Sequence, residues 1–170
     1  MNHPIRIILA SSLVLGMAAC AKKQEVHTAQ PSHSDSTTST QSADRGGKYT
    51  RDSLDSDSCL RQRVVYFDFD RSEIKSEFQA IIGCHAAYLR QFPDARVTLE
   101  GNADERGTRE YNLGLGERRG NAVSSAVTAA GASSGQLNVV SYGEERPVCK
   151  DHNEGCWQKN RRVEIVYTAK

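Results

Sequence analysis

The chain has 170 residues and a formal net charge of +1, from 22 Lys and Arg against 21 Asp and Glu. That balance supplies no basic stripe and argues against a nucleic-acid binder that works by neutralising phosphates. The N-terminus reads MNHPIRIILASSLVLGMAAC. Arg6 gives a weakly positive start, Ile7 to Gly16 is a short apolar run, and Met17-Ala18-Ala19 lead to Cys20. This is the order of a secretory signal peptide over residues 1–19, and the apolar run is too short to span a bilayer.

The MAAC tetrapeptide resembles a bacterial lipobox. The resemblance implies cleavage before Cys20, a diacylglycerol on its sulfur and acylation of the new amino group. Each buried methylene contributes about 0.8 kcal/mol, so several chains make a firm anchor. Ala21, rather than Asp, follows the cysteine; by resemblance to Gram-negative lipoproteins this favours sorting to the outer membrane. Residues 20–58 are then polar, with Val26, Tyr49 and Leu54 nearly the only larger apolar groups. Such a stretch buries too little surface to offset its ordering entropy and reads as a disordered linker with a mean reach of about 35 Å. Residues 59–170 suit one small domain.

Within that domain, residues 63 to 69 (RVVYFDF) alternate and read as a strand. Ser72 is a candidate cap for a helix in which Ile74, Phe78, Ile81, Ile82, His85, Leu89 and Phe92 recur at helical spacing and Pro93 ends the run. Residues 96 to 100 (RVTLE) form a second strand. Thr108 caps a second helix that runs to about Ala130 and stops at Gly131. Residues 137 to 142 (LNVVSY) and 162 to 168 (RVEIVYT) complete a βαβαββ order. Strand–helix–strand units imply parallel strands with right-handed crossovers. The alternation implies helices on one face of the sheet. The expected architecture is a two-layer α/β sandwich with a mixed four-stranded sheet. Gly114 and Gly116 inside the second helix cost about 1 kcal/mol each relative to Ala, without a reason visible in the sequence.

Four cysteines follow Cys20, which allows three pairings. Cys149 and Cys156 bracket the short KDHNEG segment and form the local pair, leaving Cys59 with Cys84. An oxidising periplasm permits both bridges. Cysteines with His85 and His152 lack metal-ligand spacing, so no metal is expected, and the isolated histidines read as surface residues.

The charges are more telling. On a wheel of about 100° per residue, Tyr111, Leu115, Ala122, Ala126 and Ala130 share one stripe, and Arg119 falls within about 40° of Leu115. An arginine centred on an apolar face needs an acid or another acceptor for its guanidinium. Asp70 ends FDFD after the first strand, and Asp104 lies in ADERG after the second. If those strands run parallel, both loops open at one carboxyl edge and the two acids converge with Arg119. Gly101 and Gly107 free that loop to adopt conformations closed to other residues. Three readings fit: a structural salt bridge, a zwitterionic ligand whose ammonium meets the acid and whose carboxylate meets the guanidinium, or a pair of glycosidase carboxylates. The setting favours ionised carboxylates, which suits binding better than proton donation. Neither a Ser–His–Asp nor a Cys–His nucleophile pattern is present.

The segments VVYFDFDRSEI, VTLEGNADERGTREYNLGLGERRGNAV, VSYGEERP and KNRRVEIVY resemble the peptidoglycan-associated lipoproteins, a branch of the OmpA-like C-terminal domain family. The resemblance covers residues 64 to 168. It implies non-enzymatic binding of peptidoglycan through the meso-diaminopimelate of the stem peptide, without a cofactor. The family's ligand positions fall on Phe69, Asp70, Ala103, Asp104 and Arg119. Asn112 and Leu115 belong to the motif, and Arg161 and Arg162 match its NRR. Asn102 stands where many relatives have His, Arg109 replaces a common Pro, and the cysteine pair around KDHNEG lies outside the general pattern. The resemblance further implies an outer-membrane anchor through Cys20, a domain in the periplasm, TolB as a partner within the Tol–Pal system, and a role in envelope integrity and cell division. The alternatives are an OmpA-like peptidoglycan-binding lipoprotein outside Tol–Pal, and a cell-wall hydrolase.

Overall fold

The structure is a computed structural model that describes residues 47–170. The expected signal peptide, the lipidation site Cys20 and most of the linker lie outside the described residues. Among the described residues no helix is long and apolar enough to cross a membrane.

Four strands form one mixed sheet: β1 (Val64–Tyr66), β2 (Arg96–Asn102), β3 (Leu137–Gly143) and β4 (Arg162–Ala169), in the spatial order β1-β4-β2-β3. β4 pairs antiparallel with both β1 and β2, and β2 pairs parallel with β3. The first strand–helix–strand unit is therefore split. β1 and β2 run in the same direction, as the sequence implied, but β4 lies between them. Two main helices, α2 (Gln79–Gln91) and α3 (Arg109–Ala129), cover one face. Ile82, Ala86 and Leu89 of α2, Val123 and Val127 of α3, and Val65, Leu99, Val163 and Ile165 of the sheet belong to one buried cluster. Thr98 and Glu100 alternate with Val97 and Leu99 and are only half-buried, so the other face is wetter.

Several local expectations change. The first strand covers Val64–Tyr66 rather than 63 to 69, because the chain turns away into the loop that carries Asp68 and Asp70. The first helix starts later: Ser76–Phe78 is a single 3₁₀ turn leading into α2, and Ser72 does not cap it. A short helix, α4 (Glu154–Asn160), interrupts the expected passage from β3 to β4; Asn153 caps it by accepting from the Cys156 amide at 3.0 Å. The second helix matches its sequence signals: the Thr108 hydroxyl accepts from the Tyr111 amide, and Gly131 takes φ +106° just beyond the end.

The domain also begins before residue 59. Tyr49 and Leu54, the two apolar groups among residues 47–58, are both buried, and α1 (Ser53–Ser56) forms around Leu54. The Tyr49 amide donates to Gln91 Oε1 at 3.0 Å, and its ring meets that of Tyr88. The linker reading fails there because average polarity hides two well-placed anchors that need only a preformed surface to dock on. His85 is likewise no surface residue. It is fully buried, with Nδ1 2.9 Å from the Tyr167 hydroxyl and Nε2 2.9 Å from the Gln62 carbonyl. Burial pushes its pKa down. Both disulfides form: Cys59–Cys84 ties the segment before β1 to α2, and Cys149–Cys156 closes the loop before and into α4.

The helix glycines now separate into two kinds. A Cβ on Gly116 would lie 2.8 Å from the Gly101 carbonyl oxygen, and one on Gly101 would lie 2.0 Å from the Gly116 oxygen. α3 thus crosses β2 backbone against backbone. A Cβ on Gly114 would meet only the end of the Arg118 side chain, at 3.3 Å. Gly116→Ala is expected to destabilise by about 1–3 kcal/mol through overpacking. Gly114→Ala is expected to stabilise by up to about 1 kcal/mol through helix propensity. Thermal or urea melts of the two variants would show shifts of opposite sign.

Candidate functional site

Because β1 and β2 run in the same direction, the loops that leave their carboxyl ends open on one edge of the sheet. A cleft of about 170 Å³ lies there. Phe69 and Asp70 reach it from the first loop, Asp104, Arg106 and Gly107 from the second, and Tyr111, Asn112, Leu115 and Arg119 from α3. The sequence-predicted Phe69, Asp70, Asp104 and Arg119 are brought together. Ala103 is not: it is buried beside Asp104, its amide donates to the Gly143 carbonyl at 2.7 Å, and it faces a different hollow, next to Glu144 and Pro147. Its part is to pin the loop to the end of β3.

Arg119 is fully buried, and its expected acid partner is replaced by backbone. Nε donates to the Arg71 carbonyl at 2.8 Å, Nη1 to Asn102 at 2.9 Å and Nη2 to Asp68 at 3.0 Å. Three of the five guanidinium N–H groups are thus used, and the residue lies in the wall of the cleft. Burial pulls the pKa of Arg119 down to about 10, against the opposing pull of the Asp104 charge, so it stays cationic at neutral pH. Asp104 is also buried, and its partners are two other arginines. Arg106 donates to it from Nη2 at 2.6 Å, from Nε at 3.2 Å and from its amide at 3.1 Å, and Arg161 donates from Nη1 at 3.1 Å. Burial alone would push the carboxyl up. The hydrogen bonds from Arg106 and then Arg161 outweigh it and hold the pKa of Asp104 below the usual range. A salt bridge in which Asp104 and Arg119 serve only each other is therefore not what the structure contains.

Sequence reasoning missed most of this supporting set. Arg161 is buried; besides Asp104 it holds the Phe67 carbonyl at 3.1 Å and Glu154 at 2.6 Å. Glu154 sits on α4, which also presents Trp157. The indole donates to Glu105 at 2.7 Å, and its ring lies 4.3 Å from the Arg106 guanidinium carbon. The Phe69 ring covers the same guanidinium at 4.0 Å. The NRR motif was the one signal for Arg161; Glu154 and Trp157 carried none, because α4 was not expected. Across the cleft, the Tyr111 hydroxyl donates to Asp70, and Asn112 donates to Glu144. Asp70 has φ 55°, a left-handed conformation that aspartate tolerates better than most residues. Phe69 beside it is 54% exposed at the rim.

The OmpA family model matches residues 66–161. The peptidoglycan-associated lipoprotein of Haemophilus influenzae is 38% identical over 98% of this chain and 100% of its own length. The chain belongs to the OmpA family, in its peptidoglycan-associated lipoprotein branch. The Pseudomonas putida peptidoglycan-associated lipoprotein is 48% identical over 66% of the chain and 68% of its own length. Among solved structures, the Burkholderia pseudomallei peptidoglycan-associated lipoprotein superposes with a TM-score of 0.66 at 43% identity, covering 68% of this chain and 98% of that one. The C-terminal domain of Helicobacter pylori MotB reaches a TM-score of 0.57 at 20% identity, over 62% of this chain and 83% of that one, and shares the fold. As a member of this branch, the chain is a lipoprotein and not an enzyme.

The lowered pKa of Asp104 has a sign that can be tested. A carboxyl whose folded pKa lies below its unfolded value of about 3.9 contributes stability above that pH and loses it as pH falls through the folded pKa. Asp104→Asn is expected to be less stable than wild type at neutral pH, with the gap closing below about pH 4. Urea melts of both proteins from neutral to acid pH would check this; a gap independent of pH would contradict it.

Proposed function

We propose that this protein is an outer-membrane lipoprotein that binds peptidoglycan non-covalently through meso-diaminopimelate and so tethers the membrane to the cell wall. The observation that carries the reading is the convergence, in the wall of one cleft, of an ionised Asp104 and the Arg119 guanidinium. The side-chain end of diaminopimelate carries an ammonium and a carboxylate on one carbon. The ammonium suits the Asp104 carboxylate, and the carboxylate suits a guanidinium through parallel hydrogen bonds. The apolar stems of Leu115, Tyr111 and Phe69 suit the methylene chain between its two ends. A wall hydrolase needs a carboxylic acid with a proton to give. Two arginines keep Asp104 from having one, which favours binding over cleavage.

The family resemblance and the MAAC sequence support the rest of the proposal. The anchor is acylated Cys20 in the inner leaflet of the outer membrane, the domain faces the periplasm, and the chain works with TolB in the Tol–Pal system during envelope constriction at division.

The test is sedimentation of the full chain, kept in mild detergent, with insoluble peptidoglycan. Wild type is expected in the pellet and Asp104→Ala in the supernatant, with melts of both showing folded protein. Equal binding by a folded Asp104→Ala would remove the site assignment. Clearing of the wall suspension by wild type would replace binding with hydrolysis.

A further inference from the structure

Every good hydrogen-bonding direction of the Asp104 carboxylate is taken within the protein. Its Oδ1 accepts from the Arg106 amide and Nε, and its Oδ2 accepts from Arg106 Nη2 and Arg161 Nη1. An ionised carboxylate offers about four acceptor sites. An incoming ammonium must therefore displace something. Arg161 cannot leave easily: its side chain is 3% exposed, and it also holds the Phe67 carbonyl, Glu154 and Gln158. The Arg106 side chain is 29% exposed and lines the cleft, and beyond Asp104 its one charged partner is the exposed Glu154, 3.4 Å from Nη1. Its guanidinium lies between the rings of Phe69 and Trp157, at 4.0 and 4.3 Å. Both distances lie within cation–π range, so the two rings help to stabilise this cation when its carboxylate partner changes.

We propose that Arg106 determines the specificity of the cleft: it closes Asp104 to simple amines in the empty protein and yields only to a zwitterion, whose ammonium replaces it on Asp104 while its own guanidinium moves onto the ligand carboxylate. An amine without a carboxylate would displace Arg106 and leave that cation half-buried with no new partner. A carboxylate without an amine would meet Arg119 alone, because Arg106 stays engaged with Asp104. A group carrying both charges on one carbon exchanges both partners at once, so each buried charge keeps a counter-charge. This deepens the diaminopimelate reading and rests on it.

The chain's one tryptophan is Trp157, so its fluorescence reports directly on Arg106. The full chain in mild detergent is titrated with free meso-diaminopimelate and, separately, with cadaverine, which has the ammonium groups but no carboxylate. Wild type is expected to bind diaminopimelate with a change in tryptophan emission and to bind cadaverine at least roughly tenfold more weakly, the worth of one charge-assisted hydrogen bond. Arg106→Gln is expected to gain cadaverine affinity and lose most of that ratio. Arg106→Lys, which keeps the charge without the planar fork, is expected to fall between the two and serves if Arg106→Gln melts low. An unchanged ratio in a folded Arg106 variant, with diaminopimelate still bound and Asp104→Ala still inactive, overturns the proposal and leaves the binding reading standing. Absence of diaminopimelate binding to wild type overturns both.

Discussion

The guanidinium of Arg119 is the interaction on which the site depends. One buried cation gathers the carbonyls of Asp68, Arg71 and Asn102, and so joins the loop after β1 to the end of β2. Asp68 and Arg71 lie in an irregular loop and Asn102 at the last residue of β2, where backbone carbonyls need partners from outside the regular ladder. The arginine satisfies them, and they replace part of the water it lost. The same contacts fix the backbone from which Phe69, Asp70 and Asp104 project. The residue that recognises a carboxylate in the proposed function is therefore also the residue that shapes the cleft around it.

Charge in the site is layered. Arg119 sits deepest on α3, Asp104 is held between Arg106 and Arg161, and Glu154 closes the set from α4. Every buried charge faces an opposite charge or a carbonyl, as burial requires. The pairs differ in permanence. Arg161 is locked by contacts on three sides, whereas Arg106 is half-open to water and held by stacking. The difference gives the cleft one fixed wall and one that can exchange partners.

Helix α4 and the Cys149–Cys156 bridge support this wall from outside. The bridge closes the loop bearing His152, and α4 carries Glu154 and Trp157. His152 lies 2.7 Å from Glu105, which also accepts from Trp157, so the loop grips the residue next to Asp104 from two directions. Asn160, at the end of α4, binds the Val148 and Cys149 amides and the Cys149 carbonyl, and holds the base of the same loop. Gly101 and Gly116 provide the other condition: α3 must approach β2 at backbone distance for Arg119 to reach Asn102 at all.

By itself, the sequence determined the elements whose signals are local. Periodicity placed β2, β3, β4 and α3, and Thr108 and Gly131 marked the ends of α3 through capping and a positive φ. The helical wheel singled out Arg119 and Leu115 correctly, but its stripe was misaligned: Tyr111 and Ala130 are exposed, and the buried face runs on through Val123 and Val127. The short spacing of Cys149 and Cys156 pointed to one bridge and left Cys59 with Cys84 as the other, and the structure contains both. Tertiary structure decided what depends on neighbours far along the chain. β4 lies between β1 and β2 because the last strand fills the gap left by a split crossover, and no local pattern records that. Tyr49, Leu54 and His85 are buried because a surface elsewhere receives them. Arg119 takes carbonyls, and Asp104 takes Arg106 and Arg161, because hydrogen-bond partners are set by three-dimensional distance. A sequence shows that a buried charge needs a partner; the fold chooses which one.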